Sequence, residues 1–215
     1  MARRFSVKAR NTHTRKPRPV LLLIAEGYNV TETQYFRQFQ KQHASYSIKF
    51  ITPGSDTDPE GLLKKVQRFW EANDLHAENG DKGFIVLDLD CNDNKGRLIE
   101  RLENGTEVAR FIVSNPCSEL WYLLHYKFTT HVYLNNAELI RDLRNYIPDY
   151  EKNLDVAGRL SEKTDTALAN ALRLQKHFEE LGYHWPSNEE NPRTDVPEIL
   201  KAIEQMEGGK IDLGY

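Results

Sequence analysis

The stretch Val20-Leu21-Leu22-Leu23-Ile24-Ala25, closed by Glu26-Gly27, carries the reading of the fold. Six apolar residues run without alternation, the pattern of a strand buried on both faces. Burial on both faces needs helices above and below, and the following sequence supplies them. The spacing predicts a helix over 31–41, with Thr31 and Gln34 at capping-box separation and Tyr35 and Phe39 on its apolar face. A second strand is expected over 46–52. Asp58-Pro59-Glu60 reads as N-cap, first helical position and acidic first turn, with Leu62, Val66, Phe69 and Trp70 following at helical spacing. A third strand is expected over 83–87, running into Asp88-Leu89-Asp90. A short helix over 95–102 and a fourth strand over 108–113 come next, and Asn115-Pro116 reads as a cap and first helical position leading into 119–125. Strands alternating with helices at this spacing predict a parallel, doubly wound α/β sheet. Such sheets take their ligands at the carboxyl ends of the strands.

The pattern changes after about residue 126. Helices are expected over 137–146 and 165–181, the latter with Ala167, Ala171, Leu174, Phe178 and Leu181 on one stripe. A polar segment, 186–193, precedes a final helix over 197–206, and no strand as strong as the earlier ones is expected here. The resulting division is a basic arm over 1–19, an α/β domain over 20–128 and a mainly helical extension over 129–215.

Composition narrows the class. With 215 residues, 39% hydrophobic and 28% charged, the chain can bury a real core and is too apolar for a disordered one. Cys91 and Cys117 are the only cysteines and form no CxxC, so neither a disulfide framework nor a cysteine-rich zinc site is encoded. The longest clean apolar run is six residues, against about 20 needed to span a bilayer. A cytoplasmic protein with no membrane partner is the expectation. The net charge of −3 conceals an uneven distribution. Residues 1–20 hold Arg3, Arg4, Lys8, Arg10, Arg15, Lys16 and Arg18 and no acid, while the rest sets 22 bases against 32 acids. A basic arm on an acidic body suits phosphate contact through Arg15, Lys16 and Arg18, and equally a solubilising tail.

The acids carry the chemistry. Glu26 follows the first strand, and Asp88 and Asp90 end the third, so a parallel sheet would bring all three to one edge. Asp88 and Asp90, two apart in extended backbone, would share a side. Three converging carboxylates repel one another unless a hard cation joins them. Mg²⁺ suits oxygen ligands and keeps waters for a substrate phosphate, with Mn²⁺ as the other candidate. Such an ion could orient a phosphodiester and activate water. Glu119, in the first turns of the helix after the fourth strand, is a fourth acid near the same edge, although favourable contact with the helix dipole explains it as well. The plain alternative is that Glu26 caps a turn and the aspartates open a loop.

Competing motifs are absent or incomplete. As a calcium loop, the run from Asp88 has Asp93 at position six and Ile99 at position twelve, where glycine and glutamate are needed. There is no GxxxxGK[ST], GxGxxG, GxSxG or HExxH, and the seven histidines show no ligand spacing. A strand ending in DxD also resembles the first motif of haloacid-dehalogenase-type phosphatases, with Ser114 as a later phosphate-binding hydroxyl. That reading leaves Glu26 without a role.

Together, Ile24-Ala-Glu26-Gly27, Gln34-Tyr35-Phe36, Asp88-Leu-Asp90 and Ser114-Asn115-Pro116-Cys117-Ser118-Glu119-Leu120-Trp121-Tyr122-Leu123-Leu124-His125 resemble the RloB-like family, a branch of the TOPRIM group. The resemblance resumes at Asn191-Pro192-Arg193-Thr194-Asp195-Val196, similar to the family's late NPxTxV segment. It implies a TOPRIM-type, Rossmann-like parallel sheet flanked by helices, with a mainly helical carboxyl-terminal extension. It also implies Glu26 as the proton-transfer residue, Asp88 and Asp90 as Mg²⁺ ligands with Glu26 beside them, and Asn115 and Glu119 as supporting residues. One departure stands out. The family often shows EGxxTE, whereas Tyr28-Asn29-Val30 here separates Gly27 from Thr31-Glu32. The resemblance further implies metal-dependent cleavage of DNA or RNA by the effector of a bacterial anti-phage system, partnered by a separate ATPase. The missing P-loop fits that division of labour. Self-association stays open, and a non-catalytic sensor or regulatory subunit is the reading from a different class.

Overall fold

The computed structural model describes residues 18–26, 31–40, 44–55 and 57–208. Its strands are β1 (Val20–Ala25), β2 (Ser47–Ile51), β3 (Lys82–Asp88), β4 (Arg110–Asn115) and β5 (Arg193–Thr194). Its α-helices are α1 (Thr31–Arg37), α2 (Pro59–Ala72), α3 (Asp93–Asn104), α4 (Glu119–Leu124), α5 (Asn136–Leu143), α6 (Ala157–Leu160), α7 (Thr164–Leu181) and α8 (Val196–Glu207). The five strands form one sheet in the order β2-β1-β3-β4-β5. The first four are parallel, and β5 adds an antiparallel edge. The α/β class expected from the sequence is the observed one.

The unbroken apolar run of β1 has a simple cause. Leu21, Leu23 and Ala25 face one core, with Tyr35 and Phe36 of α1 and residues of α4, α5, α7 and α8. Leu22 and Ile24 face the other, with Leu62, Val66 and Trp70 of α2 and Ile99 of α3. The first core runs from Ile112 through Trp121 to Leu139, Leu174 and Ile199, so the carboxyl-terminal helices pack directly on the sheet. Asp58 caps α2 as expected, its side chain accepting from the Gly61 amide at 3.0 Å with Pro59 at the first helical position. The helix expected over 31–41 ends at Arg37, and the Thr31 side chain of its expected capping box lies outside the described residues.

Two differences bear on the site. β5 lies at the end of the segment expected to be polar loop, because two residues are too few to show alternation. It pairs Thr194 with Ser114 and Arg193 with Asn115, and Ser114 Oγ and Thr194 Oγ1 share a hydrogen bond of 2.7 Å. Asn115 is therefore the last residue of β4 rather than a helix cap, since the sheet claims its backbone, and α4 starts at Glu119, as expected, behind Ser118. No helix among the described residues is long and apolar enough to cross a membrane.

Candidate functional site

The order β2-β1-β3-β4 places the direction-reversal point of the winding between β1 and β3, where open α/β sheets form their ligand crevice. Glu26 and Asp88 stand there at adjacent carboxyl ends. Glu26 follows β1, and its amide donates to the Val86 carbonyl at 3.0 Å, prolonging the β1–β3 ladder. Asp88 is the last residue of β3 and pairs with Ser114. The Leu89 amide reaches the Ser114 carbonyl at 2.7 Å and the Asp90 amide the Pro116 carbonyl at 2.9 Å.

At Asp90 the chain leaves extended geometry. Asp90 and Cys91 both have φ of 55°, so Asp88 and Asp90 do not share a side by strand alternation. Two consecutive non-glycine residues in the left-handed region store strain that neighbours must hold. Asn136 donates to Asp90 Oδ1 at 2.9 Å, Asn191 Nδ2 donates to Cys91 Sγ at 3.4 Å, and the Cys91 thiol reaches the Tyr133 carbonyl at 3.5 Å. The turn then delivers Asn92 as the N-cap of α3, accepting from the amides of Asn94 (3.0 Å) and Lys95 (3.2 Å).

This cap turns Lys95 back over the sheet edge. Its Nζ donates to Glu26 Oε2 at 2.8 Å and Oε1 at 3.0 Å, and to Asp90 Oδ2 at 3.2 Å. The Lys95 side chain is only 13% exposed. Burial opposes its charge, but bonds to Glu26 and Asp90 together with their negative charge more than offset that, and its pKa is raised. Glu26 and Asp90 thus converge on one cation. Asp88 instead accepts from the Ser118 amide at 2.8 Å. Among the described residues, no three Asp, Glu, His or Cys side chains gather closely enough to cage a metal. The donor set still suits Mg²⁺, because it is all hard oxygen and two carboxylates already share a cation position. Mg²⁺ is usually held by one or two carboxylates, with water and substrate phosphate completing its shell.

The other sequence candidates lie deeper or elsewhere. Glu119 is 2% exposed, with Oε1 accepting from the Tyr150 hydroxyl at 3.1 Å and Oε2 buried without a hydrogen-bond partner. Asn115 is buried, donating to the carbonyls of Ser187 and Glu190 at 3.3 Å each and so tying β4 to the loop before β5. Ser114 is fully buried and bonded to Thr194, which leaves its hydroxyl no access to a phosphate. Burial, with the charges of Glu119 and Asp88, pushes the Cys117 thiol well above its ordinary pKa. Arg18 is exposed and precedes β1, so it stands at the amino edge of the sheet, opposite Glu26. Arg15, Lys16, Gly27 and the Glu32 side chain lie outside the described residues.

Sequence reasoning missed Lys95 and Asn136. One signal for Lys95 was available: it occupies the first turn of α3, where the helix dipole disfavours a cation unless an anion lies nearby. Asn136, 46 residues from Asp90, left no such signal.

A family model described as RloB-like protein matches residues 21–203. No curated protein and no solved structure matches the chain. The match covers β1 through most of α8, including the acid edge and the late Asn191–Val196 segment, and the chain belongs to the RloB-like family.

Proposed function

We propose that this chain is a Mg²⁺-dependent nuclease with TOPRIM-type chemistry, the effector of an anti-phage defence system that works with a partner ATPase. The observation that carries the reading is the placement of Glu26, Asp88 and Asp90 at the carboxyl edge on the β1–β3 crevice, with Glu26 and Asp90 converging on one positive charge. In this reading Asp88 and Asp90, with Glu26 beside them, hold the ion. When bound, the ion polarises a phosphodiester and lowers the pKa of its water. Glu26 moves the proton, since it is a carboxylate on the rim of the crevice with 31% of its side chain exposed. Asn136, through Asp90 Oδ1, and Ser118, through Asp88 Oδ1, orient the two aspartates. Glu119 and Asn115 support the floor from inside.

The test is cleavage of plasmid DNA and of total RNA with Mg²⁺, Mn²⁺ or chelator, comparing wild type with Glu26→Gln, alone and with the ATPase added. Metal-dependent cleavage lost in the variant supports the reading and identifies the polymer. Full activity in Glu26→Gln, or activity indifferent to chelator, overturns it.

One observation favours a second reading, a non-catalytic subunit that binds the ATPase or a phage protein. Lys95 already bridges the two carboxylates, as in a purely structural ion-pair network. Partner binding that is indifferent to chelator and to Glu26→Gln, with no cleavage under any condition, would favour this reading.

A further inference from the structure

The carboxylate pair is held by a lysine whose backbone cannot follow it outward. Lys95 lies in the first turn of α3, and Gly96 beside it is wedged against the Pro186 carbonyl, where an added Cβ would come within 2.3 Å of the oxygen. Asn92 caps the same turn from below, and the Asn188 amide donates to Asp93 Oδ1 at 2.6 Å. The Lys95 Cα is therefore fixed, and only rotation about its side-chain bonds can withdraw the ammonium. The ammonium bonds to both oxygens of Glu26 and one of Asp90, positions from which a divalent cation would draw the same electron pairs. Two cations cannot share them at 2.8–3.2 Å without strong repulsion.

The geometry points to Lys95 as a resident counter-ion that competes with a divalent cation for Glu26 and Asp90 and so sets the cation concentration at which the site loads. This rests on the metal-dependent reading above and adds a positioning residue to it. With the site unloaded, Lys95 keeps two neighbouring carboxylates from repelling each other. Loading requires its side chain to swing clear. Lys95→Met keeps most of the apolar stem and removes the competing charge. Lys95→Arg keeps the charge.

The experiment is direct titration of the full-length chain with Mn²⁺, following the free ion by its electron paramagnetic resonance signal, for wild type, Lys95→Met, Lys95→Arg and the double variant Lys95→Met/Glu26→Gln. Lys95→Met should bind Mn²⁺ about tenfold more tightly than wild type, as expected when one adjacent like charge is removed. Lys95→Arg should bind no more tightly than wild type, and the double variant should lose the gain. Thermal melts supply a second readout. In chelator Lys95→Met should melt below wild type, because its acids are then unneutralised, and Mn²⁺ should raise its melting temperature by more than it raises that of wild type. Equal Mn²⁺ affinity in wild type and Lys95→Met overturns the competition, while persisting Mn²⁺-dependent cleavage would leave the nuclease reading standing. Absence of Mn²⁺ binding in every variant overturns both. Should Lys95→Met fail to fold, Lys95→Gln takes its place with the same expectations.

Discussion

Glu26 sits where a strand stops and a crevice begins. Replacing it with glutamine keeps its shape and its capacity to accept from Lys95, but a primary amide cannot exchange a proton at neutral pH. Glu26→Gln should therefore abolish cleavage while leaving the fold intact, at a lower thermal midpoint because the largely buried Lys95 loses its closest counter-charge; a retained rate would remove Glu26 from the proposed role. Asp88→Asn should reduce both cation affinity and cleavage, as expected of a ligand. At the same scale, Cys117 is fully buried with a raised pKa, so a thiol reagent should leave it unmodified in the folded protein and react with it only after denaturation. Mass spectrometry of the labelled peptides checks this. Glu26, Asp88 and Asp90 were legible in the sequence because they follow apolar runs. Lys95 carried only the weak signal of a cation in a first helical turn, and a lysine in a helix reads as a solvated surface residue until the turn at Asp90 and Cys91 shows where it points.

At the scale of elements, the first turn of α3 is the piece on which the site depends. Gly96 faces the Pro186 carbonyl so closely that a methyl group there must displace one backbone or the other. Gly96→Ala should cost about 1–3 kcal/mol, the usual penalty for forcing volume into a packed contact. Because the displaced turn carries Lys95, the variant should also change Mn²⁺ affinity, whereas an alanine at the exposed Gly158, with nothing within 4 Å of its added Cβ, should do neither. Urea denaturation together with the Mn²⁺ titration measures both. The larger elements were readable because each carries several turns or an uninterrupted run of periodic residues. β5 was not, since its identity lies in distant partners, Ser114 and Asn115 on β4, rather than in its own two residues. Asn115 was misread as a cap for the same reason, because Asn-Pro has the local chemistry of a helix start and only the pairing with Arg193 shows that the strand continues through it.

At the scale of the whole molecule, two buried ionisable groups give stability opposite dependences on pH. His125 lies between α1 and α4, its Nδ1–H donating to the Trp121 carbonyl at 2.8 Å and its ring against Trp121 and Tyr35. Burial lowers its pKa to about 4; the bond to Trp121 opposes the shift and the Lys163 charge adds to it. The unfolded chain takes up this proton first, so the stability His125 contributes is present above about 6.5 and is lost as pH falls toward about 4. Asp195 is the N-cap position of α8 and accepts from the Trp185 indole N–H at 2.8 Å and the Val113 amide at 3.4 Å, with the Arg193 Nε at 3.7 Å. Burial raises its pKa to about 7, against the lowering influence of Arg193 and of its two hydrogen bonds. Here the folded chain holds the proton longer, so the contribution is full below 3.8 and is lost as pH rises through about 7. Between about pH 4 and 6.5 the two slopes oppose each other. Asp195→Asn removes one of them, and its urea midpoint should climb more steeply with pH across this window than that of wild type. His125→Gln removes the other, and its midpoint should fall with rising pH relative to wild type. Midpoints measured every half pH unit from 4 to 7.5 for the three proteins check both signs at once, and parallel profiles would show that neither group changes its proton affinity on folding. His125 packs on Tyr35 and Trp121 of one core, while Asp195 bonds to Val113 and Trp185 of the other, so their coupling to global unfolding also tests whether the two faces of the sheet unfold as a single unit.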